Sequence, residues 1–225
     1  MAVVLIPGFM LDRDLWHDVE PALAGFGPLI HSDPTQGASI ADMARNTLGM
    51  APARFALIGF SMGGYVAREM VYLAQDRVTH LVLIATSARG DDQVQQRRKA
   101  AVAGADPALF RGLSRASIRQ SVHPDREQDA DLIDRIHKMS VRLGGETFRR
   151  QALFQREGDA ARLAEIRCPT LIVAGREDRL RSLDEAEELH RGVAGSQIEM
   201  LEAGHMIPME APQDLSDRLV RFLSD

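Results

Sequence analysis

The stretch that most constrains this chain is Phe55-Ala-Leu-Ile-Gly-Phe-Ser-Met-Gly-Gly64. Phe55 to Ile58 is a short apolar run of the kind that forms a strand buried on both faces. Gly59-Phe60-Ser61-Met62-Gly63 follows at once, and Tyr65 to Ala74 carries apolar residues at helical spacing. A strand that becomes a helix within one Gly-x-Ser-x-Gly segment turns so sharply that the residues two before and two after the serine must be small. Gly59 and Gly63 meet that condition. The serine hydroxyl then stands beyond the strand's C-terminal end, close to the positive end of the helix dipole. The pattern in this setting predicts a nucleophile elbow with Ser61 at its apex.

The rest of the chain repeats the alternation. Ala2 to Ile6, Leu29 to Ser32, His80 to Ala85, Thr170 to Ala174 and Gln197 to Leu201 have strand character. Helical patterns fall between them. One runs from about Leu15 to Leu23, capped by Asp12 or Asp14 and shortened by Pro21. Another covers Ile40 to Leu48 behind Ser39. Ser182 caps a third, which reaches about Arg191, and Asp214 to Leu223 closes the chain. The fold class expected is α/β, a mostly parallel sheet of about six strands with helices on both faces. Arg89 to Glu165 breaks the pattern: it holds short helical segments, separated by Gly104-Ala-Asp-Pro107, His123-Pro-Asp125 and Gly144-Gly145, and no strongly apolar strand. The expected organisation is a core of residues 1–88 and 166–225 with a helical cap, 89–165, inserted into it.

Composition narrows the function classes. The formal net charge of −5 lacks the basic excess of a general nucleic-acid binder. No apolar run approaches the ~20 residues of a membrane span, and Met1 to Pro7 lacks the charged start of a signal peptide. A cytoplasmic protein with no membrane association is expected. The lone Cys168 excludes an internal disulfide and reads as a buried structural thiol. No pair of His or Cys has ligand spacing, so no metal is expected. Oligomeric state is left open.

In parallel α/β sheets, sites form beyond the C-terminal ends of the strands. Gly8-Phe9, Ser61, Asp178 and His205 fall at such ends. A serine hydroxyl needs a base to take its proton; an imidazole does this near neutral pH, and a carboxylate holds the imidazole in the required tautomer. Glu177, or Asp91 after the fourth strand, are rivals to Asp178. His17, His31, His80, His123, His137 and His190 sit in helices, at strand edges or beside a proline, and read as packed or solvent-facing. Met10, Phe60 and Met206 are candidates for an apolar pocket wall.

The chain resembles the α/β-hydrolase superfamily over nearly its whole length. The resemblance rests on Gly59-Phe-Ser-Met-Gly63, on Gly175-Arg-Glu-Asp178, and on Gly204-His205 with Glu210-Ala-Pro212, in the order Ser, Asp, His. It implies Ser61 as nucleophile, His205 as general base and then acid, and Asp178 as its orienting partner. It also implies an oxyanion hole from the backbone N–H groups of Phe9 and Met62. The chain departs from the family where Pro7-Gly8 replaces a His-Gly pair, so the help that His gives in positioning the loop is missing. Residues Ser39 to Ala44 and the small size are similar to short-chain carboxylesterases and biotin-pathway methyl-ester esterases, and Leu81 to Arg89 to enol-lactone hydrolases. The activity implied is cofactor-free cleavage of a small carboxylic ester, thioester or lactone. Acyl transfer, C–C bond hydrolysis, lyase chemistry and pure ligand binding are the alternatives on the same fold.

Overall fold

The computed structural model describes residues 1–225, apart from the side chains of Arg98, Ala100 and Ala103. The apolar runs pair into one six-stranded sheet: β1 (Ala2–Ile6), β2 (Leu29–His31), β3 (Phe55–Phe60), β4 (Val78–Ile84), β5 (Thr170–Gly175) and β6 (Gln197–Leu201). Their spatial order is β2-β1-β3-β4-β5-β6, and every neighbouring pair is parallel. β1, β3 and β5 are buried at every position, as strands covered on both faces must be. The edge strands β2 and β6 are half-buried.

The helices are α1 (Glu20–Leu23), α2 (Ile40–Met50), α3 (Met62–Ala74), α4 (Gln93–Ala103), α5 (Arg115–Arg119), α6 (Ala130–Ala152), α7 (Leu183–Gly192), α8 (Ile207–Glu210) and α9 (Pro212–Ser224). Successive strand residues point to opposite faces, so the sheet carries two cores. Val3, Leu5, Ile58 and Val82 meet Trp16, Leu219 and Phe222 on one face. Val4, Ile6, Leu57 and Leu83 meet Met43, Val66, Met70 and Leu189 on the other.

Two sequence expectations are corrected. Leu15 to Leu23 is not a single helix. Asp12 accepts the Asp14 N–H at 3.0 Å and caps a short 3-10 turn, Arg13–Trp16, and α1 begins only at Glu20. Pro21 lies in the first turn of α1, where its missing N–H has no intrahelical partner to lose. It starts a helix here and does not end one. Cys168 is half-buried, not fully covered, and burial pushes its thiol above the ordinary value.

Between β4 and β5 the chain is helical, with α4, α5, α6 and short 3-10 turns. α6 is two helices joined at Gly144, whose φ of 73° breaks the run. The second half, residues 145–152, is thereby aimed independently of the first. The end of this insertion is tied back to the sheet through Arg68 of α3, which is wholly buried. Its guanidinium donates to both oxygens of Asp159, at 2.7 and 2.9 Å, and to the Ser87 carbonyl at 2.7 Å. The Tyr72 hydroxyl donates to the same carboxylate at 3.0 Å. Asp159→Ala would leave a buried cation without its counter-ion, so a loss of about 3–5 kcal/mol is expected in urea unfolding. An unchanged midpoint would show that the pair is not holding the insertion in place. Among the described residues no helix is long and apolar enough to cross a membrane.

Candidate active site

Ser61 is the junction of β3 and α3. Its φ of 51° and ψ of −113° are strained for a residue with a Cβ, and such strain persists only where the surroundings over-determine the backbone. Here they do. The Ser61 N–H donates to the Ile84 carbonyl at 2.8 Å. The Ser61 carbonyl accepts from Thr86 Oγ1 at 2.7 Å and from the Gly64 N–H at 3.0 Å. The end of β4 thus grips the elbow from both sides. The first turn of α3 lies against the end of β1: a Cβ on Gly63 would stand 2.3 Å from the Ile6 carbonyl oxygen and 2.6 Å from that of Pro7. That contact is what the small residue after the serine permits.

The loops after β5 and β6 meet over this turn. His205 Nε2 lies 3.0 Å from Ser61 Oγ, and its Nδ1 lies 2.8 Å from Asp178 Oδ2. The Asp178 side chain is 1% exposed and that of His205 7%. The second Asp178 oxygen accepts the N–H groups of Leu180 and Arg181, at 2.8 and 2.9 Å. With its acceptors so disposed, the carboxylate accepts a hydrogen bond from Nδ1–H and leaves the Nε2 lone pair facing the serine hydroxyl. Such an arrangement can draw a proton from the hydroxyl and return it to a leaving group. The two loops approach closely because Gly175 abuts the Gly204 carbonyl, where a Cβ would come within 2.2 Å. The Phe60 ring packs on the imidazole at 5.1 Å between centroids.

The residues that hold the His205 loop were not legible as site residues. The N–H groups of His205 and Met206 both donate to the Ser121 carbonyl, at 2.9 and 3.2 Å. Glu210 accepts from the Met206 N–H at 2.9 Å and from the His123 N–H at 2.6 Å. Burial raises the Glu210 carboxyl above its usual range. The insertion therefore supplies, through Ser121 and His123, part of the frame for the imidazole. A carbonyl oxygen has no sequence signal, and Glu210 entered only as part of the Glu-Ala-Pro motif.

The model of the alpha/beta hydrolase family matches residues 3–218. This chain belongs to that family. A pimeloyl-[acyl-carrier protein] methyl ester esterase of Neisseria meningitidis serogroup B is 29% identical over 221 residues, covering 92% of this chain and 86% of that protein. The dihydrolipoyllysine-residue acetyltransferase component of the acetoin cleaving system of Pseudomonas putida is 29% identical over 248 residues. That match covers 98% of this chain, which spans only 63% of the length of that relative. A solved thermophilic esterase from Thermogutta terrifontis superposes with a TM-score of 0.85 at 25% identity, covering 100% of this chain and 89% of the other.

In this α/β hydrolase the remaining candidates separate clearly. Met62 opens α3, and Phe9 lies half-buried in the loop after β1 with its ring 5.7 Å from that of Phe148. Met10, Phe60 and Met206 are almost wholly buried. Asp91 is taken up by Lys99 and by Arg156, whose N–H it accepts at 2.9 Å, and Glu177 is exposed. Five of the six other histidines are engaged elsewhere: His137 with the Leu113 carbonyl, His190 with Ser196, His31 with Glu20, His80 on the Phe222 ring and His123 with the Asp125 N–H; His17 is exposed. Among the described residues no cluster of three His, Cys, Asp or Glu could hold a metal.

Proposed function

We propose that this α/β hydrolase cleaves a small carboxylic ester, thioester or lactone through an acyl-enzyme on Ser61. The observation that carries the reading is the unbroken relay from Asp178 Oδ2 through His205 to Ser61 Oγ, with separations of 2.8 and 3.0 Å. Ser61 Oγ attacks the carbonyl carbon as His205 Nε2 takes its proton. The carbonyl oxygen becomes an oxyanion, which the N–H groups of Phe9 and Met62 receive. Collapse expels the alcohol, thiol or ring oxygen, protonated by His205. Water, deprotonated by His205, then attacks the acyl-enzyme, and its collapse returns the proton to Ser61 as the acid leaves. Asp178 orients the imidazole and stabilises its cationic form throughout. The helical insertion acts as a cap over this chemistry. The esterase names of the Neisseria and Thermogutta relatives support the same bond class.

The test is hydrolysis of a p-nitrophenyl ester series from acetate to decanoate. Turnover is expected on at least part of the series, with a chain-length optimum that sizes the pocket. Absence of turnover on every ester and on simple lactones would overturn the reading. The acetyltransferase name of the Pseudomonas relative favours one second reading, acyl transfer. Product analysis separates the two: an acyl group delivered to an alcohol or thiol in preference to water would make the protein a transferase.

A further inference from the structure

The loop after β1 carries Phe9, one of the two proposed oxyanion donors, and it is not in a relaxed conformation. Leu11 donates its N–H to the Gly8 carbonyl at 3.3 Å, so Phe9 and Met10 are the central residues of a turn. Met10 has a φ of 55°. A left-handed second central residue is ordinarily glycine, and a residue with a Cβ there is strained. Turning over the peptide between Phe9 and Met10 would relieve that strain. Pro7, which stands where the family has histidine, has neither an N–H nor a polar side chain with which to hold the loop.

The holding group comes from the second half of α6. Gln151 is wholly buried. Its Oε1 accepts the Met10 N–H at 2.8 Å, and its Nε2 donates to the Pro34 carbonyl at 2.9 Å. The side-chain amide cannot turn round, because that would set donor against donor at Met10 and acceptor against acceptor at Pro34 in a wholly buried position. Pro34 therefore fixes the orientation of Gln151, and Gln151 fixes that of the Phe9–Met10 peptide. One turn earlier on the same helix, Phe148 packs its ring on that of Phe9. Side chain and following peptide of Phe9 are thus both set by residues of one short helix.

We propose that Gln151 is a positioning residue for the oxyanion hole: it anchors the strained turn through the Met10 N–H, one peptide beyond the Phe9 N–H, so that the loop is held with the Phe9 N–H toward the oxyanion, and thereby makes the helical insertion part of the catalytic frame. This rests on the ester-hydrolase reading. It gives the insertion a role in the chemical step, separate from shaping the pocket.

Gln151→Met keeps the length and fills the space but removes both hydrogen bonds. An oxyanion donor acts on the transition state and not on the bound ester, so the loss falls on kcat. At least about a tenfold drop in kcat is expected on the best p-nitrophenyl ester, with KM within about twofold, since removing a donor outright costs ~10²–10³. An alkyl trifluoromethyl ketone, which adds Ser61 Oγ to its carbonyl and places the oxyanion in the hole, should bind more weakly by the same factor as kcat/KM. Unchanged kcat and ketone affinity in folded Gln151→Met would overturn the proposal, as would a rise in KM alone. If that variant does not fold, Gln151→Glu decides. Its carboxyl makes both hydrogen bonds only when protonated, so the ratio of its kcat to that of wild type should rise as pH falls; a flat ratio overturns the proposal. Failure of the parent reading is distinct, because wild type itself would then be inert to esters and both would fall together.

Discussion

Ser61→Ala should abolish ester turnover while leaving the fold intact. In serine hydrolases loss of the nucleophile costs on the order of 10⁶ in kcat, the residue being what binding and the oxyanion hole achieve alone. The structure explains why the fold should not suffer. Among the described residues the serine side chain makes its hydrogen bond only to His205 Nε2, and it gives α3 no cap bond. The bonds that grip the elbow are made by the Ser61 backbone, to Ile84, Thr86 and Gly64, and alanine keeps all of them. Thermal unfolding should therefore be unchanged within a few degrees. A fluorophosphonate should label wild type and not the variant. Activity above about a hundredth of wild type would remove Ser61 from the mechanism, because no other group could restore a nucleophile's contribution to that extent.

What was legible in the sequence follows from what local sterics and strand ends can announce. Ser61 was legible because the turn needs Gly59 and Gly63 and because both flanking elements have unmistakable periodicity. Asp178 and His205 were legible because a parallel sheet collects the loops at one end of its strands, wherever those strands stand in the chain. The groups that hold the site together were not. Arg68 and Asp159 are 91 residues apart and carry no joint signal. Ser121 acts through its carbonyl, which every residue possesses. Gln151 falls on the buried face of its helix, with Ser140 and Thr147, but a polar side chain there does not announce which backbone groups its amide will meet. The strained φ of Met10 is carried by a residue with no preference for it. Short-range physics writes the elbow and the two loops that meet over it into the sequence; the packing of distant segments supplies their precision.

Asp178→Asn should lower kcat by about 10⁴ with little change in KM, by the tautomer it imposes on His205. The geometry leaves the asparagine one orientation. Oδ1 of Asp178 accepts two N–H groups, from Leu180 and Arg181. An amide placed there with its NH₂ toward those donors would bury three donors together, at a site whose side chain is 1% exposed, which is a costly arrangement. The amide oxygen must therefore keep the two backbone donors, and the NH₂ must face His205 Nδ1. Nδ1 then accepts, the ring proton moves to Nε2, and the nitrogen facing Ser61 becomes a donor with no lone pair for the hydroxyl proton. Because the loop's own hydrogen bonds survive, stability should change little, and a tetrahedral adduct should form slowly. Two controls separate this from a general loss of negative charge. Glu177→Gln, exposed on the same loop, should leave kcat unchanged. Asp91→Asn, whose carboxylate serves Lys99 and Arg156, should lower the unfolding temperature without a comparable loss of turnover. Equal losses in Glu177→Gln and Asp178→Asn would mean that the carboxylate acts through the field of the loop and not through the tautomer, and the relay would have to be redrawn.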